Sequence, residues 1–239
     1  MKRLLFTSPA AKLFTALLIV VLFSSAACDK IDLTQPISEA EIAEGLRQAL
    51  TVSADTSVSQ TNKADGYFRN ELIKILLPPE AAKVESTLRS IGAGALVDDL
   101  VLKLNRAAED AAIEAKPIFV NAITGITITD ASNILFGDSI AATTYLRGRT
   151  YVSLKNVFAP KVEKSLDKVG AVKIWEQVFT TYNSIPFVTK VNPDLKDYAT
   201  GKALDGLFVM LSKEEKGIRK NPLDRVSALL QKVFGELDK

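Results

Sequence analysis

Apolar residues along this chain recur every three to four positions from about residue 38 onward, a period that predicts helices almost throughout. Ser38 and Glu41 form an S-x-x-E capping box, and Ile42, Leu46, Leu50 and Ala54 then mark one helix face to about Val58. Thr61 to Asn70 is polar and carries Asp65-Gly66, so it reads as a loop. Leu72 to Leu77 is short and apolar and ends in Pro78-Pro79, which suits an extended segment or a turn. Pro79 is well placed to open the next helix, with the stripe Val84, Leu88 and Ile91 before Gly92 stops it. A long helix over Gly94 to Ala115 follows, and Pro117 opens another with Ile118, Phe119, Ala122 and Ile123. Ile126 to Thr129 is β-branched and could pair with Leu72 to Leu77 as a minor two-stranded ribbon. Thr129 or Asp130 caps a short helix to Phe136.

Further stripes are Ala141, Ala142 and Tyr145, then Leu154, Val157, Phe158, Val162, Leu166 and Val169, then Trp175, Val178, Phe179 and Tyr182. Gly170 separates the last two. A helix over Leu195 to Ile218 is weakened by Gly201, Gly206 and Gly217, and Asn221-Pro222 opens a final one with Val226, Leu229, Leu230, Val233 and Phe234. The expectation is one all-α domain of about nine or ten helices over residues 38–239, with room for the single ribbon.

The pattern changes at the N-terminus. Residues 1–27 combine Lys2, Arg3 and Lys12, an apolar run from Leu13 to Phe23 and the small residues Ser24 to Ala27, the three parts of a secretion signal. The run falls short of the roughly 20 apolar residues that span a bilayer. Cys28 follows Ser25-Ala26-Ala27 and resembles the lipobox of bacterial lipoproteins, with Ser25 where Leu is usual; the alternative is ordinary small-x-small cleavage, which leaves a soluble periplasmic protein with a free thiol. On the lipobox reading residues 28–37 are a lipidated Cys and a tether reaching about 30 Å at roughly 3.3 Å per residue.

Composition narrows the chemistry. The 239 residues include no His and one Cys, which removes the imidazole base, every His-containing triad, an internal disulfide and a Cys-rich zinc site. The formal charge of +2 belongs to the signal. Without residues 1–27, which hold three bases and no acid, the net charge is −1, and no polybasic patch favours nucleic acid. P-loop, dinucleotide, Ser-elbow, zinc and Ca-loop motifs are all missing, and neither a cofactor nor a metal is expected.

Carboxylates remain as candidate chemistry. On a helical wheel of residues 94–115, Val97, Leu100, Val101, Leu104, Ala108 and Ala111 share a face, and Asp98, Asn105 and Glu109 run along one edge of it. That edge could bring two acids and an amide to a pocket for acid/base work; the alternative is pairing with bases from neighbouring helices. In the penultimate helix Glu215 falls among Leu204, Phe208, Leu211 and Ile218. An acid there needs a partner or a raised pKa, and Arg219, four residues on, is the natural partner, with Asp205 and Ser212 on its flank. The candidate catalytic residues are therefore Asp98, Glu109 and Glu215, with Asn105 and Arg219 as binding residues and Cys28 as the lipidation site.

The strings GALVDDLVLKLNRAAED (94–110), AKPIFVNAI (115–123), ALDGLFVMLSKEEKGIRKNP (203–222) and LLQKVFGEL (229–237) resemble a bacterial envelope family catalogued as domain of unknown function 4197. The resemblance runs from about Ser38 to the C-terminus. It implies an envelope location and an all-helical fold, and brings no activity. The reading is thus a membrane-tethered envelope protein, anchored by its N-terminal lipid, that binds an envelope protein, a cell-wall component or a lipid without catalysis. The alternatives are a carboxylate enzyme such as a glycan-cleaving one and a carrier of an apolar ligand, which requires an internal cavity.

Overall fold

The computed structural model describes residues 36–190 and 194–238; the signal, Cys28 and most of the tether lie outside the described residues. Nine α-helices follow one another within them: α1 (Glu39–Thr61), α2 (Ala82–Ser90), α3 (Gly94–Ala111), α4 (Ala115–Thr124), α5 (Ile128–Leu135), α6 (Ala141–Lys168), α7 (Ala171–Asn183), α8 (Leu195–Lys220) and α9 (Ala228–Gly235). The described residues form one all-α domain, as their apolar period implies. Helix α6 lies against α8, α3 and α4, while α1 crosses α8, α4, α5 and α9 on the other side. The core between them is aliphatic and aromatic: Leu46, Leu50, Leu104, Phe119, Leu154, Phe158, Leu204 and Leu211 are almost wholly buried. Each such side chain stabilises the fold by about 1.5–3 kcal/mol through burial.

Local chemistry sets the helix ends. At α1 the Ser38 hydroxyl accepts from the Glu41 amide at 3.2 Å, and the Glu41 carboxylate accepts from the Ser38 amide at 2.9 Å, completing the capping box. Gly92, at φ +80°, supplies the left-handed residue that ends α2. The long helix expected over residues 94–115 is instead α3 joined to α4 by a 3-10 turn at Ala112–Glu114.

Three expectations are corrected. The segment 126–129 is no strand, because Thr127 and Asp130 form a second capping box that starts α5 at Ile128. No strand or ribbon occurs among the described residues. Thr129 and Asp130 are therefore inside the helix that they were expected to cap. Asn221-Pro222 opens only a 3-10 turn (Pro222–Asp224); the last helix starts at Ala228 under a Ser227 cap, and Val226 points to solvent.

Residues 72–77 form a strap across the surface: it leaves a turn in which the Asn70 carbonyl accepts from the Ile73 and Lys74 amides, and from Lys74 it runs outside any helix or turn. Ile73, Ile75 and Leu77 are buried while Leu72, Lys74 and Leu76 face out, an alternation of period two that belongs to strands. Beneath it, Gly206 of α8 allows close approach: a Cβ there would lie 2.6 Å from Tyr67 Cε1 and 3.2 Å from Ile73 Cβ.

Candidate functional site

The expected edge of α3 divides into three different environments. Asp98, near the start of the helix, is 66% exposed and bound to Arg89 at 2.6 Å. Hydrogen bonding to that guanidinium holds its carboxyl below the usual range, with a smaller contribution from the charge of Lys74. Asn105 is fully buried. Its Oδ1 accepts from the Ile75 amide at 2.8 Å, and its Nδ2 donates to the carbonyls of Ile75 (2.8 Å) and Val101 (2.7 Å).

Glu109 is also buried, and it clamps the 62–70 loop. Its Oε1 accepts from the Tyr67 and Phe68 amides at 3.1 Å each, and its Oε2 takes Arg106 Nη1 at 2.6 Å. Arg106 continues to Asp65 at 2.7 Å, which fixes a residue at φ +65°. Tyr67 donates its hydroxyl to the Ala203 carbonyl at 2.6 Å, and burial, together with the nearby Glu109 charge, pushes that hydroxyl far above its ordinary pKa.

Glu215 and Arg219 form the buried ion pair that their spacing suggests, at 2.9 Å. Both are used up by helix ends. Glu215 accepts from the amides of Ala142 (3.0 Å) and Thr143 (2.8 Å) and from the Thr143 hydroxyl (2.7 Å), so it caps the N-terminus of α6 from outside. Arg219 donates to the carbonyls of Ile134 and Leu135, at 2.8 Å each, and caps the C-terminus of α5. Negative charge at a helix start and positive charge at a helix end are both favoured by the peptide dipoles. Asp205 and Ser212 do not join this network: Asp205 pairs with Arg147 at 2.6 Å, and the Ser212 hydroxyl donates to the Val209 carbonyl.

Arginine thus neutralises all three candidate acids. Asp98 and Glu109 are eleven residues apart on one helix, about 16 Å at 1.5 Å per residue, whereas glycosidase acids stand roughly 5–9.5 Å apart. The space beside Glu215, walled by Leu46, Leu50 and Phe234, is about 10 Å³, roughly enough for one water. It gives an apolar cargo no room. No cluster of His, Cys, Asp or Glu among the described residues is arranged to hold a metal.

Among several clefts open to solvent is a groove of about 310 Å³ between the strap and α8. The strap forms one wall, with Leu72 67% and Leu76 57% exposed. Tyr198, Lys202, Asp205 and Val209 form the other. Tyr198 bridges the walls by donating its hydroxyl to the Leu76 carbonyl at 2.7 Å. Lys74 stands 4.4 Å from the Phe68 ring centroid and Lys202 6.0 Å from that of Tyr198. Neither lysine forms an ion pair among the described residues, whereas Asp205 is neutralised by Arg147. Sequence reasoning missed this site because five of the six strap residues are apolar and only Lys74 interrupts them. The Pro78-Pro79 stop and that single lysine were the available signals.

The chain matches the family described as protein of unknown function (DUF4197) over residues 36–235 and belongs to it. No curated protein and no solved structure matches it.

Proposed function

We propose that this member of the family is a non-catalytic binding module of the bacterial envelope, held to a membrane by a lipid on Cys28 and facing the periplasm. Its partner site is the groove between residues 72–77 and α8. The observation carrying this reading is a contrast in satisfaction. The buried acids Glu109 and Glu215 have their oxygens occupied by guanidinium and amide donors, and Asp98 is paired with Arg89, while the groove presents exposed leucines and two lysines that form no ion pair among the described residues. Buried, fully bonded charges hold a fold together; exposed apolar side chains beside unpaired charge are what a partner covers.

The signal-like residues 1–27 and Cys28 support the tether, and the net charge of −1 left after their removal gives nucleic acid no purchase. A photoreactive amino acid placed at Leu76 in intact cells tests the reading, with Val152 on the exposed face of α6 as the control. A reproducible adduct from position 76 that is absent from position 152 is the expected result. No adduct from position 76, or equal adducts from both, would overturn the groove as the partner site.

A further inference from the structure

We infer that the groove takes an extended peptide with an acidic residue two positions before an apolar one, which adds to residues 74–77 as a β-strand; this rests on the reading above. The warrant lies in how the strap is held. The carboxamide of Asn105 bonds both the amide and the carbonyl of Ile75 at 2.8 Å, as a neighbouring strand would do in a ladder. One side chain thus substitutes for a strand on the inner edge. Because backbone groups alternate sides along a strand, the amide and carbonyl of Leu76 and the carbonyl of Lys74 lie on the opposite edge. Tyr198 confirms that direction by reaching the Leu76 carbonyl from α8.

The Leu76 amide and the Lys74 carbonyl have no hydrogen-bond partner among the described residues. Together they are the acceptor and donor that one residue of a parallel strand engages, taking its amide to Lys74 and its carbonyl to Leu76. Lys74 and Leu76 share the outward face two positions apart, so an acidic and an apolar side chain at the same spacing in the peptide meet them. Lys74 and Lys202, which form no ion pair among the described residues, select the acid. An anionic lipid would satisfy the leucines and lysines but leave the backbone pair unused.

The test uses the mature lipidated chain in detergent and a labelled hexapeptide Thr-Glu-Thr-Val-Thr-Val, the Val/Glu peptide. Controls are the same peptide N-methylated on alternate amides, the same peptide with Lys in place of Glu (the Val/Lys peptide), and phosphatidylglycerol vesicles. The inference expects the Val/Glu peptide to bind about tenfold or more tightly than either control peptide, because hydrogen bonds or charge pairs of ordinary strength are lost in each. It also expects the Leu76 amide to become protected from exchange. A double variant, Lys74→Glu with Lys202→Glu, should reverse the charge preference while its circular dichroism stays that of the parent.

Equal binding of the N-methylated peptide, or of the Val/Lys peptide, overturns the inference. So does occupation of the groove by vesicles alone, which would leave the groove as the partner site. Absence of any adduct from Leu76 in cells, by contrast, would remove the proposed site itself.

Discussion

A carboxylate taken out of water costs several kcal/mol unless every lone pair finds a donor. Glu215 meets that condition with two amides, a hydroxyl and a guanidinium, all within 3.0 Å. Removing its charge would strand Arg219, so Glu215→Gln is expected to destabilise the protein by about 3–5 kcal/mol. Urea unfolding at neutral pH measures this; an unchanged midpoint would argue against a structural clamp. Glu41 offers a pH test. Hydrogen bonds from Lys232 at 2.7 Å and from Ser38 lower its carboxyl from an ordinary 4.5 to about 2. A depressed folded pKa contributes stability that is present above the unfolded value and is lost as pH falls toward the folded one. The gap in urea midpoint between the parent and Glu41→Gln should therefore be full at pH 6 and close as pH falls from about 4.5 to about 2. A gap independent of pH would contradict the assignment of Lys232 and Ser38 as its partners.

Among the elements, the strap depends on one side chain. Asn105→Ala orphans the Ile75 amide and carbonyl, which should cost about 1–3 kcal/mol and speed amide exchange over residues 72–77 while α1 and α6 keep their protection. Gly206→Ala would gain about 1 kcal/mol of helix propensity but forces Tyr67 and Ile73 away from α8, at about 1–3 kcal/mol for overpacking. A net fall in melting temperature is expected, and a rise would show that the strap yields. The helices themselves were readable because their stripes are long: α1, α3, α6 and α8 each repeat the apolar period over several turns. The strap was not, since its inner and outer residues are nearly all apolar and only burial distinguishes Ile73 and Ile75 from Leu72 and Leu76. Thr127 escaped notice for a similar reason, because Thr129 and Asp130 compete with it as caps within three residues.

For the whole molecule, the candidate site was half legible. Asp98, Asn105 and Glu109 do run along one edge of α3, yet a wheel projects out the distance along the axis, and the loop and strap that cover its two far positions are remote in sequence. The Glu215–Arg219 pair was readable from spacing alone; its role as cap for both α5 and α6 needed the fold. At this scale the tether makes its own prediction. Cys28→Ser should move the protein from the membrane fraction to the soluble periplasmic fraction, and continued sedimentation with membranes would count against the lipid anchor.

Under the proposed function the molecule works through the groove while its buried acids only hold it together. Hydrogen exchange, comparing the mature chain in its own envelope membranes with the purified chain, tests this most directly. The account predicts slowed exchange confined to residues 72–77 and 198–209, with residues 62–70 and 141–146 unchanged. Slowing centred on Glu109 or Glu215, or none within the groove, would contradict it.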